Sequence, residues 1–152
     1  MRPGIPVQAP IVSVVILRPG PEILLMRRVK GNAGTWCQVA GKVEPEETGG
    51  QAARRELREE TGFVPESLWS ADICEQFYEP RTNVITMAPV FVAWVSEGAD
   101  PVFNEEHDAH RWLSVAAAID LVSFGGQRRM LREIDAEFID RTPTPHLRIA
   151  LT

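Results

Sequence analysis

The chain has 152 residues, of which 44% are hydrophobic, and a formal net charge of −5. This length and composition predict one globular domain with one sizeable core. The acidic balance argues against general binding to nucleic acids or membrane surfaces, so a protein of this kind that handles anionic phosphates needs a metal ion or local arginines and lysines.

The sequence contains few signals of cellular compartment or of disulfide cross-linking. The two cysteines, Cys37 and Cys74, form neither a disulfide framework nor a zinc pattern, and Cys37 is expected to be a buried thiol in a strand. Residues 1–10 lack the apolar core of a signal peptide, and no apolar stretch is long enough to cross a bilayer. We therefore expect a cytoplasmic protein.

The first predicted elements form an apolar hairpin. The stretch from Ile11 to Leu17 is short and rich in β-branched residues, which predicts a buried strand. The proline-glycine turn at 18–21 leads to a second strand, Glu22 to Val29, which contains Arg27 and Arg28 near its end. Each arginine is either part of a solvated strand end or a contact for a substrate phosphate.

A short strand from Trp36 to Ala40 leads into a loop and then a helix. Thr48, with Gln51 three residues later, is a capping-box pattern that marks the start of the helix. Residues 52–60 are nearly all good helix formers, and Gly62 stands where a left-handed helix end is expected.

Three glutamates of this predicted helix lie on one face. Glu56, Glu59 and Glu60 have the spacing i, i+3 and i+4, at which side chains are neighbours and like charges repel. A divalent cation would relieve that repulsion, because hard cations such as Mg²⁺ take carboxylate oxygens. The alternative is a solvated surface helix in which nearby arginines neutralise the acids.

Two longer strands follow, from Leu68 to Tyr78 and from Val84 to Val95. The turn that joins them contains Arg81 and is a candidate substrate loop. Tyr78, beside this turn, is either a residue that stacks on a nucleobase or a packing residue at the rim of the core.

The last third of the chain begins with the acidic loop that contains Glu105 and Glu106. A strand from His110 to Leu113 follows, and Ser114 then caps a short helix over residues 116–121. A final helix is predicted over 126–140, because its apolar residues recur at helical spacing.

The order of these elements predicts the architecture. Residues 1–10 form an extended arm, residues 11–141 a single domain, and residues 142–152 a tail. Strands and helices are interleaved within the domain, which predicts a mixed sheet flanked by helices, an α/β/α sandwich.

The stretch from Gly41 to Phe63 resembles the Nudix box of the Nudix hydrolase family. The match is specific because nine fixed positions agree. They are Gly41, Glu47, Arg55, Glu56, Leu57, Glu59, Glu60, Gly62 and Phe63. Glu46 departs from the glycine that many relatives carry in this loop. The segment Glu106-His107, followed by Arg111-Trp112-Leu113, resembles the branch that includes dATP and dihydroneopterin triphosphate pyrophosphohydrolases.

The resemblance implies a set of roles for particular residues. Glu56, Glu59 and Glu60 would bind the metal ion, Mg²⁺ or alternatively Mn²⁺, with the Gly41 carbonyl as a further ligand. A glutamate of the late loop would join them, with Glu106 the best match and Glu105 the alternative. Arg55 would orient the acids and Glu47 and Gly62 would be structural. Glu56 is the first candidate for the general base and Glu106 the second, and His107 either assists or packs.

The resemblance also implies a reaction class and a set of alternatives. The expected reaction cleaves the diphosphate linkage of a nucleoside triphosphate or related nucleotide and releases a monophosphate and pyrophosphate. A nucleotide sugar or ADP-ribose is the alternative substrate, and a non-catalytic nucleotide sensor is an alternative class. An enzyme that acts on nucleic acid is expected to carry a stripe of basic residues, which is not visible in this sequence. We expect a small nucleotide as the partner, and neither nucleic acid nor membrane. The sequence leaves open whether the protein forms a homodimer.

Overall fold

A computed structural model describes residues 3–151, and within them a nine-stranded mixed sheet is flanked by three α-helices. The strands are β1 (Val7–Gln8), β2 (Ile11–Arg18), β3 (Glu22–Arg28), β4 (Trp36–Cys37), β5 (Val39–Lys42), β6 (Ser67–Glu79), β7 (Val84–Trp94), β8 (His107–Leu113) and β9 (Arg148–Ile149). The helices are α1 (Gly49–Thr61), α2 (Val115–Leu121) and α3 (Gly125–Ile134). None of these helices is both long and apolar enough to cross a membrane.

The central path through the sheet runs β4-β3-β2-β7-β6-β9, with β1 beside β7, β5 beside β2 and β8 beside β3. Strand β7 runs parallel to β2 and β1, and the other pairs are antiparallel. The start of β2 pairs with β5, so β5 carries Gly41 directly beside the central strand. Strand β8 pairs with β3, which brings the late acidic loop next to the end of the first hairpin.

Both faces of the sheet are buried, because successive side chains of a strand point to opposite faces. In β2, Val12, Val14 and Ile16 belong to the core cluster beneath α1. Val15 and Leu17 belong to the second cluster, beneath α2 and α3. The prediction of an α/β/α sandwich with a mixed sheet is confirmed.

Helix α1 begins and ends where its sequence predicts. The Thr48 amide donates to Gln51 Oε1 at 2.8 Å, and the Gln51 amide donates to Thr48 Oγ1 at 3.1 Å, which completes the capping box. Ala53 and Leu57 are fully buried against the sheet. Gly62 ends the helix with φ of 77°, in the left-handed region that favours glycine.

The structure differs from the sequence prediction mainly at the two ends of the chain and around the late loop. Within the predicted N-terminal arm, Val7 pairs with Ile85 in the sheet, and within the predicted tail Ile149 pairs with Leu68. Residues 1, 2 and 152 lie outside the described part. Strand β8 begins at His107, three residues before the predicted start. These pairings join residues far apart in sequence, so no local pattern predicts them.

The last helix is shorter than predicted. Instead of continuing over 126–140, α3 ends at Ile134 and gives way to a π-helical turn, Asp135–Ile139. Phe138 in that turn is still buried, so the wider turn keeps its apolar side chain on the core.

Candidate active site

Arg55 is the centre of an ion-pair cluster on α1. Its Nε and Nη2 donate to the two carboxylate oxygens of Glu47 at 2.8 and 2.9 Å. Its Nη1 donates to Glu56 at 2.8 Å and to Glu59 at 3.3 Å, and Nη2 also donates to the Lys42 carbonyl at 2.7 Å. The hydrogen bonds from Arg55 lower the pKa of Glu47 to about 2. The cluster therefore connects the loop after β5 to the acidic face of α1.

Gly41 and Glu56 are in close contact across the gap between β5 and α1. A Cβ atom at position 41 would overlap the carboxylate of Glu56. Gly41 does not have a positive φ, so close approach rather than backbone conformation requires glycine here. Two groups thus fix the Glu56 carboxylate, the Arg55 guanidinium on one side and the Gly41 backbone on the other.

The three glutamates of the box have different environments. The side chain of Glu59 is 56% exposed and that of Glu56 is 13% exposed, and both pair with Arg55. Glu60 is 2% exposed and its Oε2 has no hydrogen-bond partner among the described residues. Burial raises the pKa of Glu60 to about 9, with further contributions from the nearby Glu56 and Glu106 carboxylates. Glu60 is therefore the buried acid whose charge the arginine cluster does not compensate.

The late loop places a second acid and a histidine beside Glu60. The Val29 amide donates to the Glu106 carbonyl at 3.0 Å, which ties this loop to the end of β3. His107 is 6% exposed, and its Nε2 lies 3.9 Å from Glu60 Oε1 and 3.7 Å from Cys37 Sγ. Burial lowers the pKa of His107, which favours the neutral imidazole. Burial also raises the pKa of the Cys37 thiol to about 11, so Cys37 remains protonated.

A cavity of about 240 Å³ opens between these groups. Its walls are formed by Arg28, Lys30, Gly31, Gln38, Ala40, Glu60, Glu106 and His107. The lining therefore combines two carboxylates with two cationic side chains. Glu106 lines this cavity and Glu105 does not, so Glu106 is the acid of the late loop that the fold brings to the site.

The arrangement fits a divalent metal ion. Within residues 3–151, the group with ligand atoms all within 4.8 Å of one another is Glu60, Glu106 and His107, rather than the three glutamates of the box. Carboxylate oxygens are the ligands that hard divalent cations take, and a cation here would compensate the buried Glu60. The Glu56 carboxylate lies close enough to Glu60 to raise the pKa of that acid, whereas the Glu59 side chain is more than half exposed.

Three residues predicted from sequence to bind substrate lie outside the cavity. Arg27 pairs with Asp108 at 2.8 and 3.0 Å, and Tyr78 donates its hydroxyl to Asn83 Oδ1 at 2.8 Å. Arg81 is exposed in the turn between β6 and β7. Arg28 lines the cavity and Arg27 does not, and the register of β3 against β8 shifts between these two residues.

A polar network that the sequence prediction missed connects to the cavity through Gln38, the member of the network that lines it. Gln38 Nε2 donates to Ser13 Oγ at 3.1 Å and to Glu75 Oε1 at 3.2 Å, and Ser13 Oγ donates to Glu75 Oε1 at 2.9 Å. Gln127 Nε2 of α3 donates to Gln38 Oε1 at 3.3 Å. Burial raises the pKa of Glu75, and its bond from Ser13 opposes that shift. The available signal was Gln38, a polar residue inside an otherwise apolar strand.

Fold and site together define a Nudix hydrolase domain. The model of the NUDIX domain matches residues 7–141, and the chain belongs to that family. CTP pyrophosphohydrolase of Escherichia coli is 45% identical over 72% of this chain and 78% of its own length. The asymmetrical bis(5'-nucleosyl)-tetraphosphatase of Mus musculus is 32% identical over 80% of this chain and 83% of its own length. Both are, by name, hydrolases of phosphoric anhydride bonds.

A solved structure and a longer relative complete the comparison. The dihydroneopterin triphosphate pyrophosphohydrolase of E. coli has a TM-score of 0.70 at 25% identity, over 84% of this chain and 93% of that one. An octanoyltransferase of Myxococcus xanthus is 34% identical over 82% of this chain, which spans only 36% of that protein's length.

The raised pKa of Glu60 predicts how the stability of the metal-free protein depends on pH. The unfolded chain loses this proton near the ordinary value of 4.5, and the folded chain holds it to about 9. Between these pH values, folding is coupled to the binding of one proton. The free energy of unfolding should therefore fall as pH rises from about 4.5 to about 9, by at most ~1.4 kcal/mol per pH unit for one group.

Glu60→Gln should remove this pH-dependent component, as measured by urea unfolding in chelator at a series of pH values. Glu59→Gln, at an exposed acid, is the control, and equal slopes for wild type and Glu60→Gln would contradict the assignment.

Proposed function

We propose that this protein is a Mg²⁺-dependent pyrophosphohydrolase of a nucleoside triphosphate or a related nucleotide. The observation that carries the proposal is the cavity whose lining combines Glu60 and Glu106 with Arg28 and Lys30. Such a cavity suits a metal-bound diphosphate, since the acids hold the cation and the two cationic side chains neutralise phosphate oxygens. We further propose that the protein acts in the cytoplasm on a small-molecule substrate, without nucleic acid or membrane.

Several polar residues in and around the cavity have a task in this reaction. Glu60 and Glu106 would hold a divalent cation, which would neutralise phosphate charge and make the attacking water more acidic. Glu56 or Glu106 accepts the proton of the attacking water, the new bond forms between that water oxygen and phosphorus, and the anhydride P–O bond breaks. Arg28 and Lys30 stabilise charge on the phosphates, and the products are a nucleoside monophosphate and pyrophosphate. The role of Arg55 is to hold Glu56 in position.

A dinucleoside tetraphosphate is the second candidate substrate. The likeness to a tetraphosphatase over 80% of the chain favours it. The cavity binds phosphates and metal in either case, so the two candidates differ in the group beyond the phosphates.

A substrate screen with product identification tests the proposal. We expect hydrolysis of at least one nucleotide to a monophosphate and pyrophosphate with Mg²⁺ or Mn²⁺, and none after chelation, as measured by ion-exchange chromatography of the products. Glu106→Gln should lower kcat and kcat/KM together, because a group that acts in the transition state affects both. The matched control is the neighbouring Glu105→Gln, which should keep wild-type kinetics because Glu105 does not line the cavity.

Two results would count against this assignment. Activity that survives thorough chelation would exclude the metal-dependent reaction. Loss of activity in Glu105→Gln with normal activity in Glu106→Gln would move the role of the late loop to Glu105.

A further inference from the structure

We propose that His107 is a nitrogen ligand of the metal ion that Glu60 and Glu106 hold, so that this position prefers Mn²⁺ or Co²⁺ over Mg²⁺. The inference extends the proposed function, because it concerns a ligand of the same site, and it rests on that function for the metal site itself. His107 is not part of the box, and the fold brings it to Glu60 from the start of β8.

The first support is the distance between His107 and Glu60. Zinc and similar ions bind histidine nitrogen and carboxylate oxygen at roughly 2.0–2.2 Å, so two ligand atoms on one ion can lie up to ~4.2 Å apart. His107 Nε2 and Glu60 Oε1 are 3.9 Å apart, within that limit and too far apart for a hydrogen bond. The gap between two buried polar groups is therefore wide enough for an ion.

The second support is that the buried Glu60 carboxylate lacks a compensating partner. Glu60 is 2% exposed, and its Oε2 is inaccessible and without a hydrogen bond among the described residues. The remaining contact of His107 Nε2 is with the Cys37 thiol at 3.7 Å, which is a weak interaction that a metal ion would outcompete. The exposed Glu106 side chain lines the same cavity and can turn toward an ion between Glu60 and His107.

The chemistry of the ligands sets the preference for a metal. Mg²⁺ takes oxygen ligands and binds imidazole poorly, whereas Mn²⁺, Co²⁺ and Zn²⁺ accept mixed oxygen and nitrogen sets. One imidazole among carboxylates should therefore raise affinity for the transition metals. Mg²⁺ that arrives with the substrate phosphates is still accommodated by oxygen ligands.

Pulsed electron paramagnetic resonance of the Mn²⁺-loaded protein tests the inference without substrate or turnover. We expect the wild-type protein to show coupling of Mn²⁺ to ¹⁴N, replaced by ¹⁵N coupling when histidine alone is labelled with ¹⁵N. The coupling should vanish in His107→Gln and persist in His110→Gln. His110 is the matched control because it lies on the same strand but outside the cavity, with Nε2 3.5 Å from Asp100.

Calorimetric titration provides a second measurement. The affinity for Mn²⁺ should be at least ~10-fold weaker in His107→Gln than in the wild type, and the affinity for Mg²⁺ should change less.

The wild-type spectra decide the question even if His107→Gln fails to fold. Absence of histidine coupling in the wild type, or its persistence in a folded His107→Gln protein, would overturn the proposal. A thiolate charge-transfer band of the Co²⁺ protein that disappears in Cys37→Ser would also overturn it, because sulfur would then occupy the position assigned to imidazole. Failure of the proposed hydrolysis would leave these spectra unaffected, so the two proposals fail separately.

Discussion

Arg55→Ala is expected to lower kcat by about 100-fold or more, the scale on which small misplacements of reacting groups reduce enzyme rates. The guanidinium group holds Glu47, Glu56 and Glu59 and the Lys42 carbonyl at the same time. Without it, the carboxylates repel one another and Glu56 loses the contact that orients it. The measurement is steady-state kinetics on the substrate identified by the screen, together with thermal unfolding.

Two further variants separate positioning from mere loss of charge. Arg55→Lys should recover little activity, because an ammonium group cannot reproduce the planar fork that binds both oxygens of Glu47. Added guanidinium ion at low millimolar concentration should partly restore Arg55→Ala and leave the wild type unchanged. Arg58→Ala, at an exposed arginine of the same helix, should keep wild-type kinetics. Near-normal turnover of a folded Arg55→Ala protein would refute the orienting role.

Gly41→Ala is expected to reduce kcat by about 100-fold with only a small change in melting temperature. The added methyl group would overlap the carboxylate of Glu56, which is the end of a flexible side chain and can move away. The backbone at Gly41 is compatible with alanine, so the fold tolerates the change while the carboxylate loses its position. Kinetics and calorimetric melting of the same preparation test both parts of this expectation.

Gly50→Ala is the matched control for Gly41→Ala. A Cβ atom at Gly50 meets only Ile149 at an ordinary contact distance of 3.5 Å, and alanine stabilises a helix relative to glycine by roughly 0.5–1 kcal/mol. This variant should be fully active and equally or more stable. If Gly41→Ala is fully active, Glu56 does not need its observed position, and Glu106 becomes the stronger candidate for the general base.

The sequence predicted the local features of the site well. The capping box at Thr48, the helix end at Gly62 and the shared acidic helix depend on residues within a few positions of one another. A short run of β-branched residues predicted the central strand β2 in the same way. Glu46, which stands where the family resemblance predicts a glycine, adopts φ of 66°, in the left-handed region that favours glycine.

Contacts between distant segments account for what the sequence could not predict. The separation of the box acids follows from the position of α1 on the sheet, which buries Glu60 and leaves Glu59 in solvent. The approach of His107 to Glu60 depends on pairing of β8 with β3, whose register shifts between Arg27 and Arg28. That register also decides which of the two arginines reaches the cavity.

The network of Ser13, Gln38, Glu75 and Gln127 has a consequence for how this chain can change over generations. Each member satisfies a polar atom of another inside the protein, so replacing one leaves its partners without a hydrogen bond in a buried place. Single substitutions here should be harmful, and tolerated changes should arise in combinations that restore the bonds or replace the whole set by apolar residues. The four positions are thus expected to show strong epistasis, which a pairwise mutational scan of these positions would reveal as departures from additivity.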